Sequence, residues 1–407
     1  MRIAMVSEHA SPLATLGGVD AGGQNVHVAA LAGALAAEGH DVTVYTRRDN
    51  PFPPDEVRMG GGVTVVHVPA GPAESIGKDE LLPFMPAFGD WLTAHWRRVG
   101  PPDLVHAHFW MSGLAALRAG GTLGVPVVQT YHALGVTKQR HQGALDTSPP
   151  GRIGAERTIG AAADLIVATC SDEVRELTAM GVDPAIVTVV PCGVDLTLFA
   201  PPAVETPDAS APFRLLAVGR LVERKGLDTV LLALARLPGA ELTIAGGPPA
   251  DRLAADPEAR RLLDLAAELG VDDRVGMTGG VDHRRLPALF HEADAVVCTP
   301  WYEPFGIVPL EAAACGRAVV GSAVGGLLDT VEHGVTGLLV PARDPDALTT
   351  ALIGLRDDPL RRRRMGRAAR QRAETRYGWV TVARSTVAAY RTVVVRPGRR
   401  DRQVSGA

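Results

Sequence analysis

The feature that most constrains the fold is an alternation of short β-branched apolar runs with Ala- and Leu-rich helical stretches, such as residues 24–38. Short apolar runs bounded by turn residues predict strands of a parallel sheet, because such strands have apolar neighbours on both faces. In the first half of the chain the predicted strands are 3–6, 42–45, 63–68, 104–107, 127–130, 165–168 and 187–190. The alternation predicts a doubly wound α/β fold.

The alternation is interrupted between residues 198 and 212. This segment, LFAPPAVETPDASAP, is rich in proline, alanine and acidic residues without periodicity, which predicts a linker. The rhythm then resumes, with predicted strands at 213–218, 241–245, 274–278, 295–298, 318–321 and 337–340. A chain of 407 residues is also too long for one compact core. We therefore expect two Rossmann-like domains, 1–197 and 213–376, that face each other across a ligand-binding cleft.

Charge and hydropathy exclude several classes of partner. The net charge of −4 is too small to suggest a nucleic-acid partner. The N-terminal MRIAMVSEHA predicts a strand and not a secretion signal, and no apolar run approaches the length of a membrane span. A cytoplasmic protein without membrane contact is expected. The Arg-rich segment 356–376 predicts a solvated helix face, with contact to an anionic membrane as the alternative. The sequence leaves the oligomeric state open, and the basic tail 396–407 is predicted to be disordered.

A glycine-rich stretch, GGVDAGG at 17–23, follows the first predicted strand and precedes a helix. Glycines at such a position let backbone amides approach a phosphate, and the helix N-terminus adds a favourable dipole. Gly22 and Gly23 are the candidates for this contact. The spacing differs from the dinucleotide-binding G-x-G-x-x-G, and a plain glycine-rich turn remains the alternative.

A second motif, GRLVERKG at 219–226, follows the first strand of the second domain and precedes a predicted helix, 227–237. Arg220 and Lys225 flank a short loop that begins at Gly219, so both cations can converge on a diphosphate. Two solvated cations are the alternative. Against it, Lys225 is one of only three lysines in the chain.

The third motif is PWYEPFGIVPLEAAACG at 300–316, which opens a helix. Glu303 precedes the predicted helix and Glu311 lies about one turn inside it. Carboxylates are strong acceptors for hydroxyl groups, and free amides are expected at Phe305, Gly306 and Ile307. The preference of helix N-termini for acidic residues is the alternative, although it accounts for Glu303 alone.

Histidines form the fourth group. His106 and His108, at the end of the predicted strand 104–107, are two residues apart, and strand spacing puts both imidazoles on one face of the sheet. His132 ends the next strand and is expected to enter the cleft. A third metal ligand is not evident, and no metal site is predicted. The cysteines form no C-x-x-C pair, which favours buried reduced thiols.

Taken together, Arg-x4-Lys, EPFG opening Glu-x7-Glu, and the later Val324-Gly-Gly resemble the retaining family-4 glycosyltransferases of GT-B fold. The resemblance covers the chain from its N-terminus to about residue 390. The segments GGVDAGGQNVHVAALAGALAAEGHDVTVYTR and HAHFWMSG are similar to two subgroups. One is the sucrose-phosphate synthase type, and the other is the mycothiol-pathway enzymes that glycosylate inositol phosphate with N-acetylglucosamine.

The resemblance implies a role for each matching position. Glu311 would bind the nucleotide ribose, and Glu303 with the amides of 305–307 would bind the donor sugar. Gly22 and Gly23 would contact the phosphate from the other domain, and the implied catalytic residues are Arg220, Lys225, His132 and Glu303. The implied reaction is front-face transfer that retains the anomeric configuration, with a UDP-sugar favoured, GDP open, and no metal or other cofactor. A C-terminal helix, 377–395, would cross back to the first domain.

The acceptor is where the sequence departs from the inositol-phosphate subgroup. That subgroup has a Tyr after the H-x-H and a Thr after the T-x-H, and both contact the acceptor phosphate. Phe109 and Ala133 occupy these places. Lys78 and Arg152 could supply cations, and Asn25 a polar contact. A small sugar or polyol is therefore predicted, with inositol phosphate or a sucrose-phosphate-like reaction as alternatives. A different GT-B enzyme, such as a phosphorylase or epimerase, and a non-catalytic subunit remain rival classes.

Overall fold

The computed structural model describes residues 1–14, 22–203 and 211–394. Most of the glycine-rich stretch 17–23, part of the predicted linker and the basic tail 396–407 lie outside the described residues.

The first domain is built on an eight-stranded sheet of order β3-β4-β2-β1-β5-β6-β7-β8. Every strand pair in it is parallel except β3 with β4. Its strands are β1 (Arg2–Val6), β2 (Asp41–Arg47), β3 (Glu56–Met59), β4 (Val63–Val68), β5 (Leu104–His108), β6 (Val127–Thr130), β7 (Leu165–Ala168) and β8 (Val187–Val189). Its helices are α1 (Gly23–Ala37), α2 (Met85–Val99), α3 (Trp110–Leu123), α4 (Gly135–Gln142), α5 (Arg152–Ala162) and α6 (Ser171–Ala179).

The second domain contains a six-stranded parallel sheet of order β11-β10-β9-β12-β13-β14. Its strands are β9 (Phe213–Val218), β10 (Ala240–Ala245), β11 (Val275–Gly279), β12 (Ala295–Cys298), β13 (Ala318–Ser322) and β14 (Gly337–Val340). The helices are α7 (Leu227–Ala235), α8 (Pro257–Glu268), α9 (Leu286–Glu292), α10 (Ile307–Ala314), α11 (Leu327–Thr330), α12 (Pro345–Asp357) and α13 (Pro359–Arg372). The expected fold class, two Rossmann-like α/β domains, is confirmed.

Strand β3 is the strand that the sequence pattern missed. Its four residues, EVRM, alternate between exposed and half-buried positions, so they carry no continuous apolar run. Strand β3 lies at the sheet edge and pairs antiparallel with β4 alone. Edge strands are commonly short and charged, which limits unwanted pairing with other chains.

The C-terminal helix belongs structurally to the first domain. A π-helical turn, Ala373–Tyr377, leads from the second domain into α14 (Trp379–Val394). Helix α14 packs against α1, and its apolar side chains Val382, Val387 and Tyr390 enter the core of the first domain. The Tyr390 hydroxyl lies 2.6 Å from Nδ1 of His106. Helix α14 thus attaches the C-terminal end of the second domain to the core of the first domain.

The charge of the Arg-rich segment alone predicted a solvated helix face, but two of its arginines bind backbone carbonyls of other segments. Arg370 Nη1 donates to the carbonyls of Phe199 at 2.8 Å and Ala314 at 2.7 Å. Arg372 Nη2 donates to the carbonyl of Asp329 at 2.9 Å. These guanidinium groups satisfy backbone acceptors around the connection between the domains. None of the described helices combines the length and apolar character that crossing a membrane requires.

Candidate active site

A pocket lies at the carboxyl ends of β9 and β12, which are neighbouring strands of the second sheet. Parallel sheets bind ligands at this edge, because the loops that follow adjacent strands meet there. The second and third sequence motifs therefore come together in one site. Its lining residues include Gly219, Arg220, Lys225, Cys298, Thr299, Glu303, Val308 and Pro309.

Lys225 and Glu303 form an ion pair in this pocket, with Nζ 2.6 Å from Oε2. Burial would raise the pKa of Glu303, but Lys225, Arg224 and the Gly306 amide together hold that pKa below its usual value. Glu303 is therefore a carboxylate at neutral pH. Arg220 lines the same pocket and is exposed, with no hydrogen bond to another described residue. The site combines an oriented ion pair with a second, solvent-facing cation.

The loop that carries Glu303 is held from behind by the Val324-Gly-Gly segment. The Gly326 amide donates to the Glu303 carbonyl at 2.8 Å. A Cβ at Gly325 would lie 2.2 Å from that same carbonyl oxygen, a distance no side chain tolerates. These glycines thus let the two backbones approach closely and fix the position of Glu303.

Helix α10 begins at the other side of the same loop. Gly306 is its N-cap with φ 73°, a left-handed conformation that favours glycine. Glu311 lies inside the helix and accepts a hydrogen bond from His283 Nε2 at 2.7 Å. Burial raises the pKa of Glu311. Burial disfavours the charge of His283, but Glu311 and nearby aspartates outweigh it and raise the His283 pKa. Glu303 and Glu311 thus each have their own basic partner.

The N-terminus of α1, in the first domain, faces the N-terminus of α10. A Cβ at Gly23 would lie 3.1 Å from Ile307 Cδ1, so the two domains come close at this point. Gly22 is the N-cap of α1, and its amide donates to Asn25 Oδ1 at 3.0 Å. Because both helix N-termini carry partial positive charge, the space beside them favours an anion.

Four buried histidines form a cluster in the first domain next to this contact: His27, His106, His108 and His132. His108 Nδ1 lies 2.9 Å from His132 Nε2, and His106 Nε2 lies 2.8 Å from Thr130 Oγ1. His132 has φ 63°, and its ring contacts Phe305 of the other domain edge-on, with centroids 5.3 Å apart. His132 therefore reaches the interface between the domains, next to the start of α10.

These imidazoles are neutral near pH 7. Burial lowers the pKa of His27 to about 4 and that of His106 to about 3. Burial also lowers the pKa values of His108 and His132 well below the usual range. In the described part of the chain, no group of three His, Cys, Asp or Glu side chains is arranged to hold a metal ion. Within this cluster His132 can offer a hydrogen bond but not a positive charge.

Hydrogen bonds and a ring stack join the two domains beside the site. Asp329 of the second domain accepts hydrogen bonds from the Ser171 amide at 2.5 Å and the Ser171 hydroxyl at 2.7 Å. The rings of His141 and Tyr302 stack with centroids 5.4 Å apart. The first and second domains are thus joined by direct contacts on the α4 and α6 side of the site.

The candidate acceptor residues lie in the first domain, and several are bound to other protein groups. Asn25 is buried and donates to the Ser11 carbonyl at 3.0 Å, in addition to capping α1. Arg152 Nε donates to Glu156 Oε1 at 2.8 Å and its Nη2 donates to the Ala133 carbonyl at 2.5 Å. The Arg152 guanidinium also lies 5.1 Å from the centroid of the Phe109 ring.

Lys78 is half-buried and opens a short 3-10 helix, Lys78–Glu80. Arg152 is buried against the buried carboxylate of Glu156, which largely offsets its positive charge. The structure therefore brings Phe109, Ala133 and Arg152 together. It does not leave Arg152 as an uncompensated cation, and it uses Asn25 to hold the start of α1.

Sequence reasoning missed three contributors to this region: His283, the Ser171–Asp329 contact and His27. His283 follows the carboxyl end of β11, the same kind of position that identified the other candidates, so its place in the chain carried a usable signal. Ser171 and Asp329 lie 158 residues apart, and their contact depends on how the domains are placed. His27 lies within α1, where an inward-facing polar residue gives no local signal.

Two α/β domains in contact, a cation-lined pocket at the carboxyl edge of the second sheet and a C-terminal helix that crosses back to the first domain are typical of the GT-B class of glycosyltransferases. Comparisons with known proteins agree. Residues 21–198 match the family model described as Glycosyltransferase Family 4, and residues 205–372 match that of Glycosyl transferases group 1.

Two of the similar curated proteins are bacterial enzymes. The D-inositol 3-phosphate glycosyltransferase of Kribbella flavida is 39% identical over 411 residues, covering 96% of this chain and 95% of that protein. The D-inositol 3-phosphate glycosyltransferase 1 of Catenulispora acidiphila is 37% identical, covering 97% of this chain and 96% of that protein.

Solved structures give the same result. Sucrose-phosphate synthase from Thermosynechococcus elongatus superposes with a TM-score of 0.86 at 34% identity, covering 96% of this chain and 98% of its own. Anabaena HepE in complex with UDP and glucose has a TM-score of 0.74 at 20% identity, with 97% and 100% coverage, and shows the fold alone. The chain belongs to the family-4 glycosyltransferases of GT-B fold, and it is a transferase enzyme.

Proposed function

We propose that this enzyme transfers a glycosyl group from a nucleotide diphosphate sugar, with UDP favoured, to a hydroxyl of a small sugar or polyol, with retention of anomeric configuration. The observation that carries the proposal is the pocket in which Arg220, Lys225 and Glu303 meet beside the N-terminus of α10. Cations and helix N-termini suit a diphosphate, and carboxylates suit sugar hydroxyls.

The donor lies along this pocket in the proposed complex. Arg220 and Lys225 bind the diphosphate, and Gly22 and Gly23 approach it from the first domain. Gly219 allows close approach of the β9 end, and Glu311 accepts hydrogen bonds from the ribose. Glu303 with the amides of Phe305, Gly306 and Ile307 binds the transferred sugar.

Charge stabilisation and positioning then account for the chemistry. The bond from the anomeric carbon to the leaving phosphate oxygen breaks, and a bond to the acceptor oxygen forms on the same face. The leaving phosphate accepts the proton of the acceptor hydroxyl, while Lys225 and Arg220 stabilise its growing charge. His132, which is neutral, supplies a hydrogen bond beside the sugar.

The first-domain side of the cleft supports an acceptor without a phosphate. Phe109 and Ala133 offer no side-chain hydroxyl at the two places where the inositol-phosphate subgroup has one. Arg152 is paired with the buried Glu156, so it contributes little net positive charge. A dianionic acceptor would therefore gain little attraction from Arg152. A neutral polyol or sugar needs no such attraction.

D-inositol 3-phosphate is the second candidate acceptor. The names of the Kribbella and Catenulispora relatives favour it, because both match this chain along nearly its whole length. The two proposals share the donor site and differ only in how the acceptor is held.

A donor and acceptor screen tests the proposed function. Purified enzyme is mixed with UDP- or GDP-linked glucose and N-acetylglucosamine, and with inositol, inositol phosphate, or simple sugars. Release of nucleotide diphosphate that requires an acceptor and yields a glycoside supports the proposal. Phosphorolysis or epimerisation of the donor, or no reaction with any pair, would overturn it.

We expect turnover without added metal. Arg220 and Lys225 supply the positive charge that a metal would otherwise bring to the diphosphate. Activity in excess chelator should stay within about twofold of the untreated rate, because cation stabilisation comes from the protein. A matched sample with added Mg²⁺ serves as the control. Loss of activity in chelator that Mg²⁺ restores would contradict this expectation.

A further inference from the structure

We propose that His283 is a positioning residue for the donor, which holds the Glu311 carboxylate so that it selects a ribose over a 2′-deoxyribose. The inference rests on the proposed function of this site as a nucleotide-sugar site. It adds a residue from a separate loop, between β11 and α9, to the recognition of the nucleoside.

The geometry that carries the inference is a hydrogen bond from His283 Nε2 to Glu311 Oε1, 2.7 Å long. The Glu311 side chain is 5% exposed, so water cannot easily replace this donor. Its Oε2 accepts no hydrogen bond from another described residue and remains available to a ligand. One carboxylate oxygen is thus fixed by the protein, and the other is left for a hydroxyl.

His283 is itself fixed from a second direction. Its ring packs edge-on against Phe199, with centroids 5.0 Å apart. The charged groups that act on it are Glu311 of α10, Asp195 of the segment between the domains, and its neighbour Asp282. All three are acidic and favour protonated His283, which strengthens its hydrogen bond to Glu311.

Removing the imidazole would leave Glu311 buried without its hydrogen-bond donor. Burial already raises the Glu311 pKa, and the hydrogen bond from His283 opposes that rise. In the absence of His283 the pKa of Glu311 therefore rises further. The carboxylate then protonates at a higher pH and can turn away from the ribose. Both effects weaken nucleotide binding and leave the chemical step unchanged.

The test compares UDP with 2′-deoxy-UDP by calorimetric titration on the full chain. Wild-type protein should bind UDP at least about tenfold more tightly than 2′-deoxy-UDP. Without the 2′-hydroxyl, the buried Glu311 carboxylate loses a hydrogen-bond donor, which costs binding free energy. His283→Ala should reduce this preference to within about threefold. On acidification, the affinity of His283→Ala for UDP should begin to fall at a higher pH than the affinity of the wild-type protein. The KM for the donor sugar should rise, whereas kcat should stay within about twofold of the wild-type value.

Two variants separate positioning from a general effect on folding. His283→Gln keeps an amide that can donate to Glu311 and should restore most of the preference for UDP. His291→Ala removes another histidine of the same domain, whose Nε2 lies 2.7 Å from the Ala200 carbonyl. It should leave the preference unchanged.

The outcomes also separate this inference from the proposed function. If the wild-type enzyme transfers a glycosyl group and His283→Ala keeps the full preference for UDP over 2′-deoxy-UDP, only this inference is overturned. Discrimination that disappears in His283→Gln as fully as in His283→Ala also overturns it. Selective UDP binding that depends on His283 supports it, even if no glycosyl transfer occurs and the proposed reaction fails. If the wild-type chain binds neither UDP nor GDP, both are overturned.

Discussion

Replacing Lys225 with alanine is expected to slow glycosyl transfer by about a hundredfold or more, a loss of roughly 3 kcal/mol of transition-state stabilisation. Two physical effects add. The leaving diphosphate loses a cation, and Glu303 loses the ammonium group that lies 2.6 Å from its carboxylate. Without Lys225, burial raises the pKa of Glu303, and its position beside the donor sugar is no longer fixed. The measurement is kcat/KM for the nucleotide sugar at saturating acceptor.

Arg261→Ala is a matched control for this experiment. Arg261 lies on α8 in the same domain and pairs on the surface with Glu258 at 2.8 Å, so its loss should change kcat/KM by less than about twofold. If Lys225→Ala retains more than about half the wild-type rate, the assignment of the diphosphate site is wrong.

The second large effect concerns the acceptor. We expect inositol phosphate to be used at least about a hundredfold less efficiently than the best neutral sugar or polyol. Hydrogen bonds to a charged group contribute about 1.5–3 kcal/mol each, so the absence of two hydroxyl contacts weakens phosphate binding by roughly 3–6 kcal/mol. The pairing of Arg152 with Glu156 leaves little to compensate. Initial rates with both acceptors at matched concentrations give the comparison.

A gain-of-function variant makes this prediction sharper. Phe109→Tyr with Ala133→Thr restores the two hydroxyl groups and should raise turnover of inositol phosphate at least about tenfold, with less effect on neutral acceptors. Ala133→Val adds a branched side chain without a hydroxyl and is the control. Efficient use of inositol phosphate by the wild-type enzyme would contradict our account of Phe109 and Ala133. It would favour the second candidate acceptor.

The sheets were predictable because their strands are continuous apolar runs. Strands β4, β6, β7, β9, β12 and β14 have the bounds that the sequence indicated. Parallel strands buried on both faces carry this signal in the sequence itself, whereas β3, half exposed at an edge, does not. The convergence of Lys225 with Glu303 was also foreseeable, since both follow adjacent strands at the same edge of the second sheet.

Other features depend on tertiary placement that no local pattern contains. Glu303 was expected to face a sugar, and in the structure its carboxylate forms an ion pair with Lys225. Asn25 was expected to contact an acceptor, and in the structure its side-chain amide donates to the Ser11 carbonyl. Arg152 was expected to be able to supply a cation to the acceptor, but its guanidinium is paired with the Glu156 carboxylate. In each case the side chain has a protein partner that no local sequence pattern reveals.

The most direct test of the proposed function is proton NMR of a reaction that contains an α-linked UDP-sugar and an acceptor from the screen. The anomeric proton of the donor and that of the product are followed together with the release of UDP. Our account predicts that donor consumption matches UDP release and that the new glycoside has the α configuration of the donor. A β-linked product would contradict front-face transfer, and donor consumption without a glycoside would contradict the proposed function itself.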